Sequence, residues 1–201
     1  MDDLSKHITQ TAYAKFVQFG IRRISIDEIC NELRISKKTF YRAFPKKEDL
    51  VEAALAYRNE LAVDKFKKII RNKNAIDSFI ATIKFVKDHL NEDCSSFFYD
   101  ISKYYPSIFY HFQEYQSQRL RENFANNLRQ GISEGFYRED LDVELSSIFY
   151  AVQLKNSYKN ILVIEPKITK KRLTDFYIDV TIRLITNEKG LKYVEDQLKR
   201  N

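Results

Sequence analysis

The chain has 201 residues, 44% hydrophobic and 31% charged, with only 4 Gly and 3 Pro. That length supports a core without disulfide staples, and the composition excludes both a disordered polymer and a loop-rich all-β sandwich. The formal charge of +6 is shared evenly, since residues 1–50 carry ten basic and seven acidic side chains and the remainder 24 and 21, so the total alone argues for no polyanionic partner.

The first predicted element is an amphipathic helix over residues 4–19, with Ile8, Ala12, Phe16 and Phe19 at helical spacing and Gly20 as its stop. Ser25-Ile-Asp-Glu28 places a hydroxyl and a carboxylate three apart, able to cap each other's orphan amides, so a second short helix begins at 25. Its apolar face is Ile26, Ile29, Cys30 and Leu33. Leu33-Arg-Ile-Ser36 interrupts the pattern. Ser36 can then cap a third, very short helix whose Phe40 and Phe44 share one side while Lys38 and Arg42 point roughly opposite. Phe44-Pro45 ends it, and a fourth helix runs from about 46 to about 70 with Glu48 and Asp49 in its first turn. Longer helices are expected over about 75–90, 93–104, 107–134, 141–163 and 169–189, with a frayed tail beyond Gly190; Pro106, Gly131, Gly135 and Pro166 supply the punctuation. No alternating run demands a sheet, so the fold class is all-α: an N-terminal helix-turn-helix head over 1–48 and a larger helical domain over 49–201.

Position is more telling than total charge. From Arg34 to Lys47 there are six basic residues (Arg34, Lys37, Lys38, Arg42, Lys46 and Lys47) and no acid, a field of one sign that attracts phosphate. Two short helices joined by a tight turn, the second apolar behind and basic in front, read as a helix-turn-helix for double-stranded DNA. A helix enters the major groove only if its outward side chains meet base edges while its neighbours hold phosphates. Lys37, Lys38 and Arg42 are long donors for guanine or phosphate, Thr39 can reach a base, and Tyr41 offers a phenolic donor.

The segment from Gly20 to Leu50 resembles the DNA-binding region of TetR-type transcriptional regulators. That family typically reads Val-Ser-x-Gly-Thr-Leu-Tyr-x-His-Phe and then x-x-Lys-Glu-x-Leu; Ser36, Thr39, Tyr41, Phe44, Lys47, Glu48 and Leu50 occupy the matching places. Lys38 stands where glycine is usual, Phe40 for leucine and Ala43 for histidine. The resemblance implies that Ser25 and Lys47 touch phosphates from helix N-termini, that Tyr41 binds the DNA backbone, and that residues 36–39 with Arg42 face bases. It also implies a divergent effector domain and a four-helix dimer interface.

The last long helix is apolar on two sides, with Leu173, Phe176, Tyr177, Val180 and Leu184 on one and Ile178, Ile182 and Ile185 on the other. Two apolar faces need two partners. A second copy is expected to pack there, as a homodimer through residues 141–163 and 169–189, where Leu145, Ile148, Phe149 and Val152 repeat the pattern.

Residues 97–112 hold eight aromatics in sixteen positions. Either they wall a cavity, with Phe97, Phe98, Tyr104, Tyr105, Phe109 and His111 around an apolar or flat effector, or they fill the core; the residues alone leave both open. His89, Glu92, Asp93 and Cys94 form the one cluster of metal-ligating types, in the setting of a solvated helix end, and no metal site is expected. There is no His-Glu-x-x-His, Gly-rich phosphate loop or Gly-x-Ser-x-Gly, and Cys30 and Cys94 form no Cys-x-x-Cys pair, so neither an enzyme nor a cofactor is expected. Nothing resembles a signal peptide and no run approaches the roughly 18 apolar residues of a membrane span, so a cytoplasmic location away from the membrane is expected. The leading expectation is a ligand-responsive repressor that binds a near-palindromic operator. The alternative is an all-helical adaptor that binds a protein through its aromatic surface, and weaker still is an enzyme built around His111.

Overall fold

A computed structural model describes residues 2–92, 96–165 and 167–200. Among the described residues ten helices follow one another: α1 (Asp3–Phe19), α2 (Ile26–Leu33), α3 (Lys37–Ala43), α4 (Lys47–Ile70), α5 (Ala75–Glu92), α6 (Ser96–Tyr104), α7 (Pro106–Ser133), α8 (Val143–Ile164), α9 (Lys170–Ile185) and α10 (Glu188–Arg200). Among the described residues, extended pairing is confined to one isolated antiparallel bridge between Tyr137 and Thr186. No described helix is long and apolar enough to cross a membrane. Asp93, Cys94 and the punctuation at Pro166, with the side chains of His89 and Glu92, lie outside what the structure describes.

The chain forms two compact units, one of residues 1–66 with 89–112 and one of residues 67–88 with 113–201. In the first, Ile8, Ala12 and Phe16 of α1 are sealed beneath Ile29 and Cys30 of α2, Phe40 of α3 and Leu50, Val51 and Ala54 of α4. Three short helices cannot enclose such a core alone, and α6 completes it with Phe97, Phe98 and Ile101. Phe97 stacks on Phe16 at 6.4 Å and meets Tyr13 edge-on at 5.8 Å. Burial among these side chains pushes the Cys30 thiol above its usual range, as expected of a packing residue rather than a nucleophile.

The second unit is built around Phe79 and Ile83 of α5, Phe124 and Leu128 of α7, Tyr150 and Leu154 of α8, and Ile182 and Ile185 of α9. Phe124 and Tyr150 stack at 3.9 Å.

Two expectations fail in this unit, for one reason. The helix expected over 169–189 ends at Ile185, and the presumed tail is a further helix in which Gly190 is an interior residue. Arg138 N–H donates to Ile185 O at 3.0 Å and Asn187 N–H to Phe136 O at 3.0 Å, so residues 136–138 draw the chain out of the helix at Thr186. Asn187 then restarts it, accepting from Gly190 N–H at 3.0 Å. Gly190 serves close approach: a Cβ there would lie 2.3 Å from Phe136 O. Gly131 likewise lies inside α7 rather than at its end, where a Cβ would fall 2.1 Å from the ring of buried Tyr137. Pro106 opens α7 as its first residue, where its missing N–H costs nothing.

Candidate nucleic-acid interface

The helix-turn-helix is locked by side-chain caps at both starts. At α2, Ser25 N–H donates to Glu28 Oε2 at 2.6 Å while Glu28 N–H donates to Ser25 Oγ at 3.2 Å, the reciprocal box expected from the sequence. The Ser25 amide holds the Glu28 carboxyl below the usual carboxylate range. The turn passes through Arg34 in the left-handed region (φ 54°), with Ile35 N–H returning to Cys30 O at 3.0 Å. At α3, Thr39 N–H donates to Ser36 Oγ at 3.0 Å, and the two hydroxyls lie 2.8 Å apart.

Phe40 and Phe44 are buried with their rings 6.1 Å apart, which fixes the rotation of α3. Lys37, Lys38, Tyr41 and Arg42 are consequently exposed, and Thr39 is half-buried. Lys46 is exposed at the entry to α4, where its N–H is capped by Asp49 Oδ2 at 2.9 Å. α3 contains no acid.

Lys37 forms an ion pair with Asp27 of α2 at 2.8 Å, which holds its ammonium above the usual lysine range. The pair ties the N-terminus of the second helix of the motif to that of the first. Lys47 differs more. Its ammonium is half-buried and donates to Ile21 O at 2.7 Å and also to Ile24 O, and burial lowers its pKa from the ordinary lysine value. It braces the α1–α2 loop, so it presents less free charge than its place in the basic run suggests. Asp2, the N-cap of α1, lies within electrostatic reach of Arg42. Neither the Asp27 pairing nor the Asp2 neighbourhood carries a local sequence signal, because each joins different helices.

The aromatic segment divides. Phe97 and Phe98 are core, with the Arg58 guanidinium 5.0 Å from the Phe98 centroid. Tyr105 and Phe109 are half-buried against that core, whereas Tyr104 and His111 are exposed. In the second unit, a groove of about 440 Å³ between α7 and α8 is lined by Arg121, Glu122, Asn126, Arg129, Glu144 and Ser147 among others.

A capped pair of short helices, the second of which has an apolar back, an exposed cationic front and no acid of its own, is a DNA-binding helix-turn-helix head. Residues 8–54 match the family model for bacterial regulatory proteins of the tetR family. That match assigns the helix-turn-helix region, residues 8–54, to the DNA-binding region of that family. It is 37% identical over 78 residues to an uncharacterized HTH-type transcriptional regulator, YuxN, of Bacillus subtilis strain 168, the alignment covering 39% of this chain and 26% of that protein. Its fold is similar to that of a transcriptional regulator from Cytophaga hutchinsonii (TM-score 0.74, 19% identity, 92% of this chain and 100% of that one). It is also similar to a regulator from Saccharomonospora viridis solved in complex with choline (TM-score 0.69, 17% identity, 94% of this chain and 100% of that one).

Proposed function

We propose that the protein is a homodimeric, effector-responsive repressor that acts in the cytoplasm on a near-palindromic operator. The observation that carries the DNA-binding reading is α3, a helix with a buried phenylalanine back, an exposed cationic front and no acid. Set in a major groove, Ser36, Lys37, Lys38, Thr39 and Arg42 face base edges, while Ser25, Tyr41 and Lys46 face the sugar-phosphate backbone. Lys47 serves that backbone by bracing the loop that leads into α2 and by opening α4, whose N-terminal amides favour an anion.

Dimerisation through α8 and α9 is supported by their outer faces. Leu145 (64% exposed), Phe149 (61%) and Val152 (50%) recur at i, i+4 and i+7 on α8, with Phe176 (60%) and Leu184 (54%) on α9. An apolar stripe of that kind on a monomer marks an interface. Leu173, expected on this face, is instead buried in the first turn of α9.

The functional division keeps DNA reading in residues 1–48 and effector binding with dimerisation in 49–201. α4 and α7 each contribute residues to both compact units, which supplies a covalent route between them. In the aromatic segment, half-buried Tyr105 and Phe109 are the side chains able to yield to a small molecule, Phe97 and Phe98 are the core beneath, and Tyr104 and His111 form the rim. The choline bound by the Saccharomonospora viridis regulator supports a small-molecule effector as a class. A coupling of about 1–3 kcal/mol would suffice to change operator affinity some 5–150-fold.

Lys38→Ala tests the base-reading assignment in a mobility-shift titration with the DNA flanking the protein's own gene. Discrimination at one base position is expected to fall by about 1–3 kcal/mol, with the salt dependence nearly retained. Discrimination equal to that of the unsubstituted protein at every position of the site would remove Lys38 from the interface.

A further inference from the structure

Beyond the helix-turn-helix, the first unit holds two more cations in fixed positions. The Gly20–Ile24 loop rests on α6, where buried Asp100 accepts from Arg22 N–H at 3.1 Å. The Arg22 guanidinium donates to Tyr104 Oη at 3.0 Å and lies 4.8 Å from the centre of that ring. One residue earlier on α6, Lys103 donates to Tyr99 Oη at 3.0 Å, with its ammonium 5.3 and 5.4 Å from the rings of Tyr99 and Tyr104. All four side chains are exposed, so the ladder stabilises no core. Long cationic side chains lose rotamer freedom on gripping a phosphate, and here the tyrosines restrict that freedom in advance.

Chain connectivity and contacts tie the ladder to the helix-turn-helix. Lys37 on α3 pairs with Asp27; Asp27 follows the N-cap Ser25 by two residues; Ser25 follows Arg22 by three. Lys47, opening α4, holds the carbonyls of Ile21 and Ile24 on either side of Arg22 and Arg23. Along this line Asp27 pairs with Lys37, while Glu28 and Asp100 accept from the neutral amides of Ser25 and Arg22 and keep their charge. Arg22, Arg23, Lys37, Lys47 and Lys103 still outnumber Asp27, Glu28 and Asp100 by two positive charges.

We infer that Arg22 and Lys103, steadied by Tyr104 and Tyr99, hold backbone phosphates of duplex DNA just outside the bases read by α3, carrying the interface from the helix-turn-helix onto α6. The inference rests on the DNA-binding reading above. Such contacts add affinity and salt dependence without base preference.

Lys103→Gln and Arg22→Gln, in the full chain, are compared by fluorescence anisotropy on a labelled duplex from the DNA flanking the protein's own gene and on a scrambled duplex. Salt is varied from 50 to 200 mM, and Lys192→Gln on α10 is the control for loss of one exposed cation. Each test variant is expected to make log affinity fall less steeply with log salt, by about one, so that its affinity declines some three- to fivefold less than that of the unsubstituted protein across that range, equally on both duplexes. Slopes equal to that of Lys192→Gln, with the unsubstituted protein still binding its site, would overturn this inference alone. Failure of the unsubstituted protein to bind either duplex would overturn the DNA-binding reading and this inference with it.

Discussion

Phe40→Ala is expected to destabilise the first unit by about 3–5 kcal/mol and to abolish specific DNA binding. Phe40 is 0% exposed and shares a core with Ile8, Phe16, Ile29 and Leu50 drawn from three other helices. Its removal leaves a cavity behind a helix of 7 residues, too short to persist without tertiary packing. Losing that anchor also frees α3 to rotate, so that Lys38 and Arg42 no longer share a fixed front. Phe40→Leu, which restores the residue of the family pattern, keeps an apolar filler and should cost under about 1.5 kcal/mol. Urea denaturation followed by far-ultraviolet circular dichroism, together with operator titration, checks both. Site-specific binding by Phe40→Ala at unsubstituted affinity would show that the ring does not orient the helix.

Phe149→Glu is expected to convert the protein to a monomer and to weaken operator binding at least 100-fold. The side chain sits at the middle of the exposed stripe on α8, flanked by Leu145 and Val152. Apposed to its symmetry mate, a carboxylate there would lose hydration with no partner cation, at a cost of several kcal/mol, and the two-fold axis applies that cost twice. As a monomer the residue is already exposed, so the fold of each subunit is retained. A monomeric head engages one half-site and forfeits the gain from the second, which arises at high effective concentration once the first is bound. Sedimentation velocity reads the assembly state and anisotropy the affinity. A variant that sediments as a dimer would move the interface away from α8.

The N-terminal half of the first unit was legible because its signals are local. The Ser25–Glu28 box, the Ser36 cap and the Phe40/Phe44 pair lie within three or four residues of their partners, and α2 and α3 form where those signals place them. Information carried by distant segments was not legible. The break at Thr186 depends on backbone pairing with residues 136–138, some fifty positions away, and the apolar periodicity runs straight through it. Gly190 looks like a helix stop in sequence but is retained because Phe136 O needs the room of its missing Cβ. Lys47 reads as one more cation in a basic run, yet its ammonium turns inward because the carbonyls of Ile21 and Ile24 converge beside it. The aromatic segment concealed a division of labour: Phe97 and Phe98 complete the core of the first unit, a role that only the packing of α6 against α1 defines.

Hydroxyl-radical footprinting of the unsubstituted protein on the DNA flanking its own gene tests the central claim most directly. Two protected patches on one face of the duplex are predicted, related by a near-palindrome and centred about one helical turn, 34–36 Å, or a multiple of it apart. Uniform, salt-sensitive protection without sequence preference, or no protection at all, would contradict it.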